Sequence, residues 1–206
     1  MLLHKIRSEG LSHYSYFVAD GGQAAVIDPR RDCEIYLDLA SSTASRITHI
    51  FETHRNEDYV SGSCELAERT GAAIYHGAAL DFSFGRPVSE GDRFRIGRLE
   101  LAVLATPGHT AESISLVLRD LSIPGDPLMV FTGDALFAGD VGRTDLFGPK
   151  KAEWAAGTLY DAIHEKILPL GDGVVILPAH GAGSVCGGDI ADLEFTTIGY
   201  ERTHNP

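Results

Sequence analysis

The sequence predicts an α+β fold, two β-rich halves packed face to face with helices on the outside. Three observations predict it. Short β-branched and aromatic runs alternate with segments of helical periodicity along the chain. Each half is rich in such runs and also carries at least one amphipathic helical segment. Polar residues able to do chemistry stand just beyond the ends of the apolar runs, where packed sheets leave a cleft.

The elements follow in order. Residues 2–7, 14–18 and 24–29 read as strands, and Asp20-Gly21-Gly22 between the last two is a hairpin signal. Asp32 is placed as the N-cap of a helix with Ile35, Tyr36, Leu39 and Ala40 on one face. Residues 46–52, Arg-Ile-Thr-His-Ile-Phe-Glu, form a strand that leads into Thr53-His54. A second helix runs from near Gly62 to Arg69 and is ended by Gly71, followed by a strand at 72–75. The turn Glu90-Gly91-Asp92 opens a β-rich middle with strands at 93–96, 99–104, 113–118 and 128–131. Residues 151–168 have helical periodicity, with Trp154, Leu159, Ala162, Ile163 and Ile167 as an apolar stripe and Trp154 assigned to the core. Residues 174–177 are a last buried strand. No internal repeat and no low-complexity linker interrupts the chain.

The bulk properties bound the function. A chain of 206 residues supports one substantial core, and residues 1–206 are expected to form a single domain. No apolar run approaches the ~20 residues needed to span a bilayer, and the N-terminus lacks the pattern of a signal peptide. Cys33, Cys64 and Cys186 are widely spaced without a CxxC pair, so neither a disulfide framework nor a thiolate zinc site is indicated. A cytoplasmic, reducing location follows as the expectation. The net charge of −12, from 29 acids against 17 bases, repels phosphate backbones and anionic lipid, so neither nucleic acid nor membrane is expected as a partner.

Four punctuated sites carry the chemistry. Thr53-His54-Arg55-Asn56-Glu57-Asp58-Tyr59 follows a strand and brings an acid within five residues of a histidine. Pro107-Gly108-His109-Thr110, Thr132-Gly133-Asp134 and Pro178-Ala179-His180-Gly181 each stand where an apolar run meets Gly or Pro. Four such sites in one chain point to metal chemistry. His4, His13, His49, His76, His164 and His204 lie outside these sites and are expected to carry no chemistry.

These motifs resemble the metallo-β-lactamase superfamily, whose pattern is His-x-His-x-Asp-His followed by a distant His, Asp and His. The resemblance implies an αββα sandwich of two packed mixed sheets with helices on the outer faces. It places His54 at the first position, Asn56 where the second His would stand, Asp58 at the acid and Tyr59 at the final His. His109, Asp134 and His180 match the distant ligands. Asn56 offers only a neutral amide and Tyr59 a phenol protonated near neutral pH, so a second metal would keep a poor cage. His54, His109 and Asp134 remain as two imidazoles and a carboxylate with open positions, the set that suits mononuclear non-haem Fe(II), one per chain.

Within the superfamily the chain resembles persulfide (sulfur) dioxygenases and their rhodanese-fused bacterial relatives. The resemblance rests on the depleted motif, on Gly142-Arg143-Thr144-Asp145, on Pro178-Ala179-His180-Gly181 through Cys186, and on Thr197-Ile198-Gly199-Tyr200-Glu201-Arg202. It implies oxidation of a small thiol persulfide, such as glutathione persulfide, by O2 to sulfite and free thiol. Asp58 and His180 are then groups that orient ligands or bound water. Arg143, Asp145, Tyr59 and Cys186 are the candidates for substrate contact. A homodimer, and a rhodanese-type sulfurtransferase as domain or partner, come with the family likeness; the sequence fits both a stand-alone enzyme and part of a fusion. Two other readings stand beside this one. The first is a zinc or mixed-metal thioester hydrolase like glyoxalase II, and the second a non-catalytic, metal-poor module.

Overall fold

The alternation of side chains along single strands separates three cores. In a computed structural model describing residues 1–8, 10–56 and 58–206, β1 (Leu2–Ser8), β2 (His13–Asp20), β3 (Gln23–Ile27), β4 (Arg46–Glu52), β5 (Ala73–Gly77) and β6 (Arg86–Val88) form one sheet in that order. β7 (Arg93–Ile96), β8 (Leu99–Ala105), β9 (Ile114–Asp120), β10 (Met129–Gly133), β11 (Val175–Pro178) and β12 (Thr196–Thr197) form the other, also in sequence order. Both sheets are mixed. β3, β4, β5 and β6 run parallel, as do β10 and β11, whereas the remaining neighbours are antiparallel.

Tyr16, Val18, Ile27 and Phe51 of the first sheet meet Leu101, Leu116, Leu118 and Phe131 of the second in the central core. The intervening residues Phe17, Val26, Ile47 and Ile50 face outward and pack under Tyr36 of α1 (Glu34–Ser42) and Leu66 of α2 (Ser63–Thr70). Val117, Val130 and Ile176 do the same on the other side. They are covered by Leu159 of α3 (Ala152–Ala162) and Ile198 of α4 (Ile198–His204). The period-two exchange between cores is what a strand buried on both faces requires. The result is a four-layer αββα sandwich, as expected.

Several local expectations hold and several do not. β2 and β3 are joined through Gly21 and Gly22, both at positive φ, which a tight primed turn demands. Gly71 ends α2 in the left-handed conformation. Asp32 is not a cap: α1 begins at Glu34 with Cys33 in the N-cap position and no side-chain cap, while Asp32 pairs with Arg30 Nη2 at 3.0 Å. The helix expected over 151–168 stops at Ala162, continues as a π turn over Ile163–Ile167 and closes as a 3₁₀ turn over Leu168–Leu170. Pro169 removes an amide donor there, which ends α-type pairing. Trp154 is 57% exposed and not in the core; its ring meets Phe147 edge-on at the surface. β6, β12 and α4 carry too few periodic residues to have been read from the sequence. No helix among the described residues is long and apolar enough to cross a membrane.

Candidate metal centre

The parallel pairs β3/β4 and β10/β11 bring their carboxyl ends to the same edge of the sandwich. Thr53 and His54 follow β4, His109 ends the Thr106-Pro107-Gly108 turn after β8, Asp134 follows β10, and His180 lies just past β11. Gly133, at φ +54, turns the backbone at the end of β10, and the Asp134 side chain beyond it reaches His54, His109 and His180. The four sites that punctuate the sequence therefore converge in space.

His54 Nε2 lies 3.4 Å and His109 Nε2 3.3 Å from Asp134 Oδ2. All three side chains are buried. Their outer hydrogen bonds fix the tautomers. His109 Nδ1 is 2.9 Å from the Arg143 backbone carbonyl, which can only accept, so Nδ1 carries the proton. His54 Nδ1 is 2.9 Å from Thr53 Oγ1, whose own proton goes to Asp28 Oδ2 at 2.8 Å. In their neutral forms both rings therefore aim an unprotonated Nε2 at a carboxylate oxygen.

Asp134 Oδ2 is buried without a hydrogen-bond partner among the described residues. Two imidazole lone pairs and an unpartnered carboxylate oxygen repel one another unless a cation is shared among them, so the donor set fits a metal ion. His54, His109 and Asp134 are the residues that could hold it, with their ligand atoms within 4.8 Å of one another. The electrostatics agree. Burial would raise the Asp134 carboxyl, but the surrounding His54 and His180 hold it well below the ordinary range. Burial lowers His109, whereas at His54 the opposing charge of Asp134 wins and raises it.

His180 closes the neighbouring position. Its Nδ1 is 2.7 Å from Asp134 Oδ1 and its Nε2 2.9 Å from Asp58 Oδ2. Burial favours the neutral ring, but the Asp134 and Asp58 carboxylates on its two nitrogens outweigh it and raise the pKa to about 10. His180 is thus an imidazolium that donates to both acids and orients Asp134. Cys186 joins this group: its thiol lies with Asp58 and His180 inside the same 4.8 Å limit. Sequence reasoning named Cys186, six residues past His180, as a candidate for substrate contact but indicated no thiolate metal site, and its grouping with Asp58 and His180 is added by the structure. Burial, together with Asp134 and Asp58, raises the Cys186 thiol well above its usual value, so it stays protonated.

The substrate candidates are arranged around this centre. Arg143 holds Asp145 in bidentate fashion, Nε to Oδ1 at 2.6 Å and Nη2 to Oδ2 at 2.7 Å, on an exposed rim. Its amide donates to the Cys186 carbonyl at 2.9 Å, which ties the rim to the Cys186 loop. Tyr59 and His54 line a cavity of about 280 Å³ together with Asn56, Phe82 and Phe84. The Tyr59 hydroxyl is buried without a partner among the described residues, and Asn56 spends its Nδ2 on the His54 carbonyl at 3.2 Å. Glu57 of the same motif lies outside the described residues.

His13, which lies outside the four punctuated sites of the sequence, is brought against them by the fold. It opens β2, is fully buried, lies tilted against the Tyr59 ring with centroids 3.9 Å apart, and meets the His180 ring at 5.6 Å. Burial and the neighbouring His180 depress it to about 3, so it is neutral. Nothing in its sequence context marks it; only the pairing of its backbone with His180 brings it to the site.

Comparison with known proteins agrees with this geometry. Residues 9–180 match the model of the metallo-beta-lactamase superfamily. The mitochondrial persulfide dioxygenase ETHE1 of Mus musculus is 33% identical over 94% of this chain and 70% of its own length. The crystal structure of ETHE1 from Myxococcus xanthus superposes with a TM-score of 0.84 at 33% identity, over 100% of this chain and 84% of that one. A metallo-beta-lactamase structure from Staphylococcus aureus gives a TM-score of 0.90 at 35% identity over 100% of this chain; the chain spans 62% of that protein. The chain belongs to the metallo-beta-lactamase superfamily and, within it, to the family of the persulfide dioxygenases.

Proposed function

We propose that the chain is an oxidoreductase, a persulfide dioxygenase that takes one Fe(II) at His54, His109 and Asp134. Its substrate is a low-molecular-weight thiol persulfide, such as glutathione persulfide, oxidised with O2 and one water to sulfite and the free thiol. The observation that supports this most is the donor set of His54, His109 and Asp134. Three unprotonated ligand atoms surround one point, while the adjacent carboxylate of Asp58 is engaged by a protonated His180.

Ferrous iron, when bound, supplies electrons for O2 and a positive charge that favours an anionic persulfide sulfur. The chain's own residues do the rest. The burial of His54, His109 and Asp134 excludes bulk water from the reacting sulfur. His180 holds Asp134 in place and keeps a proton at Nε2 beside the site. Arg143, steadied by Asp145, presents its guanidinium to a carboxylate of the carrier thiol on the rim. Tyr59 lines the cavity beside His54, and the Cys186 thiol stands with Asp58 and His180; these two side chains are the ones that hold the persulfide sulfur. The three free cysteines support a reducing, cytoplasmic setting. The family likeness extends the proposal to a single domain acting as a homodimer, with a rhodanese-type sulfurtransferase as supplier of persulfide.

The grouping of Asp58, His180 and Cys186 favours a second reading, a two-zinc thioester hydrolase. Metal analysis of protein purified without added metal, paired with O2 uptake on glutathione persulfide, separates the two. About one iron per chain and uptake abolished by His109→Ala are expected. Two zincs with thioester hydrolysis, or no uptake by an iron-loaded sample, would sink the dioxygenase.

A further inference from the structure

We propose that Asp28 and Thr53 form a positioning relay that fixes the His54 ring as the Nδ1–H tautomer and so keeps its Nε2 available to the metal. Asp28 stands just past β3 and Thr53 just past β4, so parallel pairing of these strands sets them side by side. Thr53 gives both its protons to Asp28: the amide to Oδ1 at 2.7 Å and the hydroxyl to Oδ2 at 2.8 Å. With its only hydroxyl proton committed, Thr53 Oγ1 can act toward His54 Nδ1, 2.9 Å away, only as an acceptor. The proton of the imidazole is thereby drawn to Nδ1, on the side away from Asp134.

The relay is built into the fold at some cost. Asp28 is 1% exposed and adopts φ +51, a left-handed backbone that disfavours side chains but that Asp tolerates better than most. That conformation is anchored by its own amide donating to the Phe51 carbonyl at 2.8 Å. On the other side, a Cβ at Gly133 would fall 2.7 Å from Thr53 Oγ1 and 2.9 Å from Thr53 Cβ. Gly133 is the residue before Asp134, so the bare backbone that aims Asp134 is also what leaves room for the Thr53 hydroxyl. One threonine therefore couples the ends of β3, β4 and β10.

A buried carboxylate that hydrogen-bonds no ligand directly, yet takes every proton of the residue that does, reaches the ring's hydrogen bonding through that residue. The same logic makes a carboxylate behind a ligating histidine raise its basicity and fix its orientation. Here the carboxylate acts through a hydroxyl, which adds a second geometric filter on the ring.

The inference rests on the reading of His54 as a metal ligand, and its test separates the two. The unaltered chain, Thr53→Val, Thr53→Ser and Asp28→Asn are titrated with Zn(II) against a chromophoric chelator. The His54 tautomer is read by long-range ¹H–¹⁵N NMR on the metal-free proteins at alkaline pH, where the ring is neutral, and folding by circular dichroism. Thr53→Val is expected to bind zinc about 10–100-fold more weakly, while Thr53→Ser stays within about threefold of the unaltered chain. In the unaltered chain His54 is expected as the Nδ1–H tautomer, and in Thr53→Val as a mixture. Should Thr53→Val fail to fold, Asp28→Asn carries the same readouts. Unchanged zinc affinity and tautomer in a folded Thr53→Val overturn the relay, and so does a Thr53→Ser variant as impaired as Thr53→Val, which would make the contact one of packing. Failure of the unaltered chain to bind zinc would overturn the metal reading itself.

Discussion

His109 donates its Nδ1–H to the main-chain carbonyl of Arg143 across 2.9 Å, so the backbone of that segment, and not the guanidinium, sets the ring. The neighbouring glycine makes this consequential. A Cβ at Gly142 would lie 1.9 Å from the Asp134 carbonyl oxygen and 3.1 Å from His109 Cβ. Gly142→Ala is therefore expected to push the segment outward and weaken metal binding by about 10-fold or more. Arg143→Ala leaves the carbonyl in place and is expected to bind metal within about threefold of the unaltered chain, while raising KM for a carboxylate-bearing persulfide. Chelator competition and steady-state kinetics on the two variants check the contrast.

Removing the metal returns an unpartnered Asp134 oxygen and two facing Nε2 atoms to a buried site. A metal at 100 times its Kd stabilises the folded chain by about 2.7 kcal/mol. For a chain of this size that is a fall in Tm on chelation of roughly 5–10 °C, reversed by adding metal back. The effect has a pH sign. His54 titrates above its usual value in the metal-free chain because Asp134 outweighs the burial that would lower it. Protons therefore compete with the metal below that raised value, and metal retention weakens as pH falls. Equilibrium dialysis across a pH series reads the slope, and a flat profile would contradict the histidine ligands.

Burial separates two residues of one helix that the sequence cannot tell apart. Leu159 is 2% exposed and packs against the turn that carries His109, where a Cβ on Gly108 would meet Leu159 Cβ at 2.4 Å. Leu159→Ala is expected to cost about 2–5 kcal/mol. Trp154, 57% exposed, is expected to cost no more than about 0.5 kcal/mol on replacement by Ala. Urea denaturation of the two variants gives the comparison directly.

Much of the fold is legible because strands buried on both faces must be apolar throughout, as Ala24-Ala25-Val26-Ile27 is. The hairpin at Gly21-Gly22 and the stop at Gly71 follow from backbone conformations that only a few residues adopt. Trp154 was misplaced because the buried stripe of α3 runs through Ala155, Leu159 and Ala162, one position off it, and leaves the indole facing solvent. The convergence of His54, His109, Asp134 and His180 is legible because each follows a strand. The supports behind them are not. Asp28, His13 and the Arg143 carbonyl meet the site through pairings of distant strands and loops, and no local pattern records which strands are neighbours.

Away from the site, Asp20 provides a stability switch at low pH. At the end of β2 it accepts Arg98 Nε on Oδ2 at 3.1 Å and Nη2 on Oδ1 at 2.8 Å, with the Arg98 amide on Oδ2 at 2.9 Å. These bonds hold its carboxyl far below the ordinary range. An unfolded aspartate titrates near about 3.9, so the contribution is fully present above that value and is lost as pH falls through the folded one. The Arg98 side chain is 61% exposed, which screens the attraction and keeps its size modest. Asp20→Asn is expected to lower Tm by a few degrees at pH 7, and the gap to the unaltered chain is expected to shrink steadily below about pH 4. Thermal melts of both proteins from pH 7 to pH 3 measure the gap. A gap independent of pH would mean that Asp20 holds Arg98 by hydrogen-bond geometry alone, without its charge.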